Sequence, residues 1–167
     1  MSGQSGVDGF RPVRRDQLRD QREDDPYASR HKPREPAFCP DCGAVFRNGR
    51  WQWQDLPPAD AGASTCTACR RIRDRMPAGF VHVGGPYFAA HREELTALMR
   101  HREERERAQH PMERIIAIEP DGDGVLVTTT DIHLARDLGE ALERACKGTL
   151  DYHYNEGQRL LRVFWRR

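Results

Sequence analysis

Two pairs of cysteines with the same internal spacing are the residues of this chain best suited to chemistry. The first pair stands in CPDC, residues 39–42, and the second in CTAC, residues 66–69. A Cys-x-x-Cys turn presents two sulfurs on one side, and two such turns complete a tetrahedral zinc site with bonds of about 2.3 Å. The spacing therefore predicts a structural Zn²⁺ ion bound by four ligands: Cys39, Cys42, Cys66 and Cys69.

Other chemistry is open to the same four cysteines. Four thiolates also bind iron, as in rubredoxin-like sites, and cysteine pairs can form disulfides in an oxidising compartment. If all four ligands are protein thiolates, no coordination position remains for water, so the metal is predicted to be structural rather than catalytic. The fifth cysteine, Cys146, lies beside the apolar face of a predicted helix and is interpreted as a small packed hydrophobic residue.

Catalytic motifs are not evident in the sequence. It contains no Walker A loop and no dinucleotide-binding fingerprint, no paired catalytic carboxylates can be picked out, and its histidines are scattered. The segment TTTD, residues 128–131, precedes a predicted helix whose N-terminus could bind an anion, but Thr130 or Asp131 is more simply its N-cap. We therefore predict a protein that is not an enzyme.

Arginine accounts for nearly all of the basic residues, since only two of the 27 are lysines. The planar guanidinium suits phosphates and nucleic acids, although a GC-rich coding genome would also favour arginine throughout. Three groups of residues are predicted to contact nucleic acid. The hairpin group is Arg47, Arg50, Trp51 and Trp53, the cluster after the second cysteine pair is Arg70, Arg71, Arg73 and Arg75, and the N-terminal arm contains Arg14 and Arg15. The alternatives are an ordinary solvated edge for the arginine cluster and core packing for at least one tryptophan.

Four predicted parts must position these residues. Residues 1–36 are highly charged and poor in large apolar residues, which predicts a disordered arginine-rich tail. Residues 37–85 are predicted to form the zinc-ribbon module, with GRWQWQ and FVHV as strands. Residues 86–110 are predicted to be a helical spacer, apolar on one side at first and then charged all round.

Residues 111–167 are predicted to be a compact ββαββ unit, which makes the fold class α+β. Two strands flank the turn PDGDG, one amphipathic helix follows, and two further strands flank NEGQ. This unit has eight basic and ten acidic residues, so we do not expect it to be the main phosphate contact.

The compartment is predicted from what the chain lacks. No run of about 18 apolar residues suggests a transmembrane helix, and the first residues contain no apolar core of a secretory signal. We therefore expect a cytoplasmic protein, in which paired thiols more often hold a metal than form disulfides.

Several strings of residues carry a resemblance to known proteins. CPDCGAVFRNGRWQW, CTACRRIRDRMPAG, VTTTDIHLARDLGEAL and LRVFW, within roughly residues 25–167, resemble a family of uncharacterised bacterial four-cysteine zinc-ribbon proteins. More distantly, the paired cysteines followed by TTTD and LAR resemble the front half of the archaeal and eukaryotic nuclear export adaptor of the large ribosomal subunit. That adaptor has more than one pair of such turns, and its further domains have no counterpart here.

The second resemblance implies binding to the large ribosomal subunit and its RNA, and it carries over only the four cysteines as metal ligands. Our first hypothesis is therefore a non-catalytic adaptor that binds the ribosome, including ribosomal proteins, or structured RNA. A stress-related role in holding or silencing ribosomes is an extension of this hypothesis. The alternative is a protein–protein module of a regulatory complex, docking through the apolar half of the helix predicted at residues 87–109.

Overall fold

The computed structural model describes residues 10–14, 27, 32–155, 157 and 159–167, so most of the predicted disordered tail lies outside it. Among these residues the strands are β1 (Arg11–Pro12), β2 (Ala37–Phe38), β3 (Val45–Arg47), β4 (Arg50–Gln52), β5 (Gly62–Ala63), β6 (Gly79–Gly84), β7 (Ile115–Asp121), β8 (Gly124–Thr129), β9 (Thr149–Asn155) and β10 (Leu160–Arg166). The helices are α1 (Thr67–Asp74), α2 (Pro86–Ala90), α3 (Arg92–Gln109) and α4 (Ile132–Cys146). Helices and mixed sheets confirm the α+β class.

The larger sheet has six strands in the order β1-β9-β10-β6-β8-β7. Adjacent strands of this sheet are antiparallel, with the exception of β6 and β10. These two strands pair in parallel, from Gly79 opposite Leu161 to Gly84 opposite Arg166. Alternate residues of the central strands, such as Val81 and Val163, are fully buried, whereas the residues between them are half-buried. One face of the sheet therefore forms the core and the other does not.

Helix α4 packs across the core face of this sheet. Its apolar stripe includes Leu134, Leu138 and Leu142, all with no exposed surface, and this 3.6-residue periodicity is what the sequence predicts. A Cβ atom at Gly139 would lie 2.6 Å from the Cγ1 atom of Val163. Glycine is therefore required there for the helix to approach β10 closely.

The C-terminal unit differs from the predicted four-stranded ββαββ sheet by including two more strands. Strand β6, which the sequence places in the cysteine module as FVHV, lies between β8 and β10 at the centre of the sheet. Strand β1, from the predicted disordered tail, pairs with β9 at one edge. Sequence patterns identify a strand but not its long-range partners, since parallel pairing leaves no turn nearby to mark it.

The predicted spacer is two helices rather than one. The backbone turns at His91, with φ −125° and ψ 28°, between α2 and α3. Leu95 and Met99 are fully buried in the main core. The charged second half of α3 is also anchored, because Arg102 forms an ion pair with Asp137 of α4 at 3.7 Å in addition to one within its own helix. This half of the predicted spacer is therefore tied to the following domain by Arg102, although most of its side chains are exposed.

The second sheet belongs to the cysteine module and has four short strands in the order β4-β3-β2-β5. The β3–β4 hairpin turns at Asn48 and Gly49, both with positive φ, and their backbone N–H groups donate to the carboxylate of Glu35. Of the helices that the structure describes, none is long and apolar enough to cross a membrane.

Candidate metal centre and adjoining cleft

The four predicted ligands come together in one cluster. The sulfur atoms of Cys39, Cys42, Cys66 and Cys69 all lie within 4.8 Å of one another. A tetrahedron with metal–sulfur bonds of about 2.3 Å has edges of about 3.8 Å. The sulfurs of Cys42 and Cys66 are separated by 3.8 Å, so the donor set fits a tetrahedral metal ion without rearrangement at this edge. All five cysteines of the chain are described, and none forms a disulfide.

Local backbone geometry aims the sulfurs inward. The residue after the first pair is Gly43, whose φ of +79° lets its N–H donate to the carbonyl of Cys39. The N–H of Cys66 donates to the Cys39 sulfur at 3.3 Å, and that of Cys69 donates to the Cys66 sulfur at 3.3 Å. Cys66 thus also serves as the N-cap of α1. Such amide–sulfur bonds favour the thiolate form that metals require.

A buried arginine that sequence inspection missed contacts the cluster. The guanidinium of Arg114, from the segment before β7, donates to the sulfur of Cys69 at 3.2 Å and lies 3.8 Å from that of Cys66. Its Nε donates to the carbonyl of Pro111, and only 5% of the residue is exposed. A buried cation needs an anionic partner, so this contact supports thiolate character in the cluster.

The cysteines perturb one another strongly. A hydrogen bond from Cys66 lowers the pKa of Cys42 to about 4, with Ala44 and Arg114 acting in the same direction. The shared hydrogen bond and burial raise the pKa of Cys66, and burial raises that of Cys69. Burial opposes the charge of Arg114, but its bonds to the cysteines raise its pKa overall. These shifts place the negative charge of the cluster on Cys42, beside the guanidinium of Arg114.

An open cleft of about 690 Å³ adjoins the cysteine cluster. One wall is the β3–β4 hairpin with Arg50, Trp51 and Trp53, and the opposite wall is the end of α3 and the loop that follows. Lys32 stands at the cleft, and Met112 lines it while packing against the cysteines. The cleft volume is in the range of small-molecule and nucleotide sites.

The two tryptophans of the hairpin have different roles. Trp51 is partly buried against the cysteine cluster and lies 5.3 Å from the ring of Phe46, in keeping with the alternative of core packing for one tryptophan. Trp53 is 36% exposed, and its indole N–H donates to the carbonyl of Arg107 at 2.7 Å. This bond fixes the orientation of a partly exposed indole at the cleft.

The arginines after the second cysteine pair do not form one surface. Arg71 is 6% exposed and donates to the carbonyl of Met76, so it is not presented on the surface as a phosphate contact requires. Arg73 pairs with Asp41 at 2.8 Å on the surface, Arg70 is half-buried, and Arg75 is exposed. A helix turns successive side chains to different sides, which a run of arginines in the sequence does not reveal.

The remaining predicted contacts lie apart from this cluster. Arg47 and Arg50 are exposed on the hairpin and pair across its two strands. Arg14 is exposed beyond β1, at the edge of the larger sheet, and Arg15 lies outside the described residues. The hairpin therefore brings Arg50 and both tryptophans to one cleft, and Arg14 does not line that cleft.

Three acidic residues form a second close group. Carboxylate oxygens of Glu106, Glu113 and Asp137 lie within 4.8 Å of one another. Burial and the charges of Asp131, Glu106 and Asp137 raise the pKa of Glu113 to about 8. At neutral pH Glu113 therefore carries a proton, which relieves the repulsion in the group.

Comparisons of this chain with protein-family models, with curated proteins and with solved structures give no match. The arrangement of its own residues is therefore the basis for assigning a function.

Proposed function

We propose that this protein is a non-catalytic RNA-binding adaptor built on a structural zinc centre, with the ribosome as its first candidate partner. The observation that carries the proposal is the shared location of Arg50, Trp51 and Trp53 on one wall of a cleft beside the four cysteines. Guanidinium groups bind phosphates, and a partly exposed indole stacks on an unpaired base.

Zinc is the proposed metal because four thiolates in a closed tetrahedral arrangement are its typical structural ligands. The metal would join β2 to the start of α1, since Cys39 follows β2 and Cys66 caps the helix. Its contribution is folding energy for the module that carries the hairpin. A zinc ribbon is thus the proposed form of the module, in keeping with the resemblance to bacterial zinc-ribbon proteins.

The cleft suits an unpaired nucleotide better than a continuous duplex. Its polar groups include Lys32 and Arg50 for a phosphate and Glu113 and Asp131 for the edge of a base. The carboxylate of Asp131 also makes the cleft unsuitable for a simple run of phosphates, because like charges repel. Structured RNA with a splayed base, as in ribosomal RNA, meets both requirements.

The alternative of a protein–protein module is not favoured by a particular observation. Its proposed docking face, the apolar half of α3, is occupied because Leu95 and Met99 are fully buried in the protein's own core. We therefore retain RNA as the partner, with a cytoplasmic location and a ribosome-associated stress role as parts of the same proposal.

Co-sedimentation with purified ribosomes in sucrose gradients, together with filter binding of ribosomal RNA, tests this proposal. We expect binding that weakens about tenfold or more between 50 and 200 mM salt and that falls in Arg50→Gln with Trp53→Ala. Arg144→Gln is the matched control, because Arg144 is an exposed arginine of α4. Absence of binding at low salt, or equal binding by both variants, would reject the proposal.

A further inference from the structure

The face of the six-stranded sheet opposite α4 carries an unusual set of side chains. On the central strands β6 and β10, Phe80 stands opposite Arg162 and His82 stands opposite Phe164. On β9, His153 stands opposite Arg162. We call this side the open face. Its planar groups occupy neighbouring positions in the sheet: Phe80, His82, His153, Arg162 and Phe164.

The planar groups contact one another in stacked or edge arrangements. The rings of His82 and Phe164 are parallel within 6° at 4.6 Å, and His153 lies edge-on to Phe164 at 5.2 Å. The guanidinium of Arg162 lies 4.3 Å from the ring of Phe80 and 4.9 Å from that of Phe10, which precedes β1. All of these side chains are half-buried, so each stack keeps exposed surface.

This set is not part of the protein's main core. The buried core consists of the opposite side chains of the same strands, such as Val81, Val83 and Val163, packed on the helices. Phe80, Phe164 and Arg162 are absent from that core among the described residues. A domain of this size has no folding requirement for five adjacent planar groups on its outer face, where polar residues usually alternate with the core.

Arg162 supplies the charge that favours an anionic ligand. Its Nη1 lies 3.2 Å from Nε2 of His82, whose Nδ1 lies 2.9 Å from a carboxylate oxygen of Asp121. In the tautomer with the proton on Nδ1, His82 donates to Asp121 and accepts from Arg162 at Nε2. An imidazole that accepts in this way adds no negative charge, so the charge of the guanidinium is not neutralised by His82. In the described part of the chain Arg162 has no carboxylate partner, and its Nε has no hydrogen-bond acceptor. Burial without a counter-ion lowers the pKa of Arg162.

We propose that the open face is a stacking platform for single-stranded RNA, with bases on Phe80 and Phe164 and a phosphate at Arg162. Planar side chains on the central strands of a sheet bind unpaired bases because each base has an aromatic face that can stack on them. Arg166 lies on the same side of β10 and is paired with Asp123 only at the surface. A surface ion pair is weak enough to exchange for a phosphate.

The open face also carries acidic residues outside its two central strands. Asp151 lies opposite Phe164 on β9, next to the central pair, and Glu119 lies on β7, at the edge of the sheet. Negative charge at these positions favours binding through bases at the centre rather than non-specific coating by phosphates. This distinguishes the open face from a general basic patch and makes binding sensitive to the presence of bases.

This inference rests on the proposed RNA-binding function but uses a surface separate from the cleft. The test measures fluorescence anisotropy with a labelled ten-nucleotide single-stranded RNA and with an abasic chain of equal length. We expect the wild-type protein to bind the RNA about tenfold more tightly than the abasic chain. Phe80→Leu with Phe164→Leu should remove that preference, whereas His133→Ala, on exposed α4 surface, should leave it unchanged.

A second measurement keeps the test valid if the double variant unfolds. In the wild-type protein, RNA should shift the NMR signals of the imidazoles of His82 and His153, with His133 unchanged. Equal binding of RNA and the abasic chain would overturn the open-face inference, and so would unshifted NMR signals of His82 and His153. Binding of structured RNA in the cleft could still be observed in that case, because it uses a different surface. In that case the open face would be a surface for protein docking. If neither single-stranded nor structured RNA binds, the proposed function itself fails.

Discussion

Nη1 of Arg114 lies 3.2 Å from the sulfur of Cys69. This bond is one of the contacts that join the cysteine module to the rest of the protein, because Arg114 precedes β7 of the large sheet and Cys69 belongs to the cysteine cluster. The bond from Trp53 to the carbonyl of Arg107 is another. The backbone N–H of Arg114 also bonds to the hydroxyl of Thr130 at the end of β8. The orientation of the cysteine module on the sheet therefore depends on a buried charge-assisted contact.

Replacement of this arginine should weaken metal binding. Arg114→Met removes the donors to the cysteine sulfurs and leaves thiolate charge uncompensated. We expect the free energy of unfolding to fall by about 2–4 kcal/mol and metal affinity to fall about 10- to 100-fold. Arg144→Met is the control, and competition with a chromophoric chelator measures the affinity. Unchanged affinity in Arg114→Met would show that the contact is incidental.

Loss of the metal should unfold one module only. Cys66→Ser removes a ligand and the side-chain cap of α1, so amides of β2–β5 and α1 should exchange hydrogen rapidly. The large sheet has its own core, and amides of β6, β8 and β10 should stay protected. Hydrogen exchange followed by mass spectrometry measures both regions at once. Equal protection of the cysteine module in wild type and Cys66→Ser would contradict a metal-dependent fold.

The carboxylate group at Glu106, Glu113 and Asp137 predicts a pH dependence of stability. The pKa of Glu113 is raised to about 8, above its usual value near 4.5, so the folded state binds the extra proton between these pH values. The stabilisation of the folded state that comes from this proton on Glu113 is fully present below about pH 4.5 and is lost as the pH rises through 8.

Glu113→Gln should remove this loss. At pH 8.5 the variant should be more stable than wild type by about 1–2 kcal/mol, less than the full linkage value because the carboxyl is partly solvated. Thermal unfolding at pH 5.5 and 8.5 measures the difference, with the exposed Glu104→Gln as control. The same gain at both pH values would contradict a titration of Glu113.

Tryptophan fluorescence tests the cleft directly. Trp53 is partly exposed there, whereas Trp165 is fully buried in the large core and cannot contact a ligand. RNA should quench the wild-type emission, and Trp53→Phe should reduce that quenching, with the remainder coming from Trp51 in the same cleft. Trp165 provides the internal control because its emission should not change. Undiminished quenching in Trp53→Phe would place RNA away from this indole.

Local patterns predicted much of this structure. The cysteine spacing predicted the cluster, and the alternation in GRWQWQ predicted a strand at Trp51. The periodicity after residue 131 predicted helix α4 with Thr130 or Asp131 as its N-cap, and Asp131 is the residue that caps it. These features depend on neighbours in the sequence, so turn chemistry and side-chain periodicity are sufficient to find them.

Long-range contacts were not accessible in the same way. The place of β6 between β8 and β10 follows from packing of Val81 and Val83 in a shared core, which no local motif records. Arg114 stands 45 residues from Cys69 in a segment with no metal-binding pattern. The arginine run after Cys69 was misleading for Arg71, because the burial of each side chain depends on where the helix packs.

Native mass spectrometry of the protein purified without added metal tests the proposed zinc centre directly. We predict one Zn²⁺ ion per wild-type chain. Cys66→Ser should carry no zinc, whereas Cys146→Ser should retain it because the Cys146 thiol lies in the core of the large sheet. A chain that carries no metal, carries iron, or has its four cysteines oxidised to disulfides would contradict it.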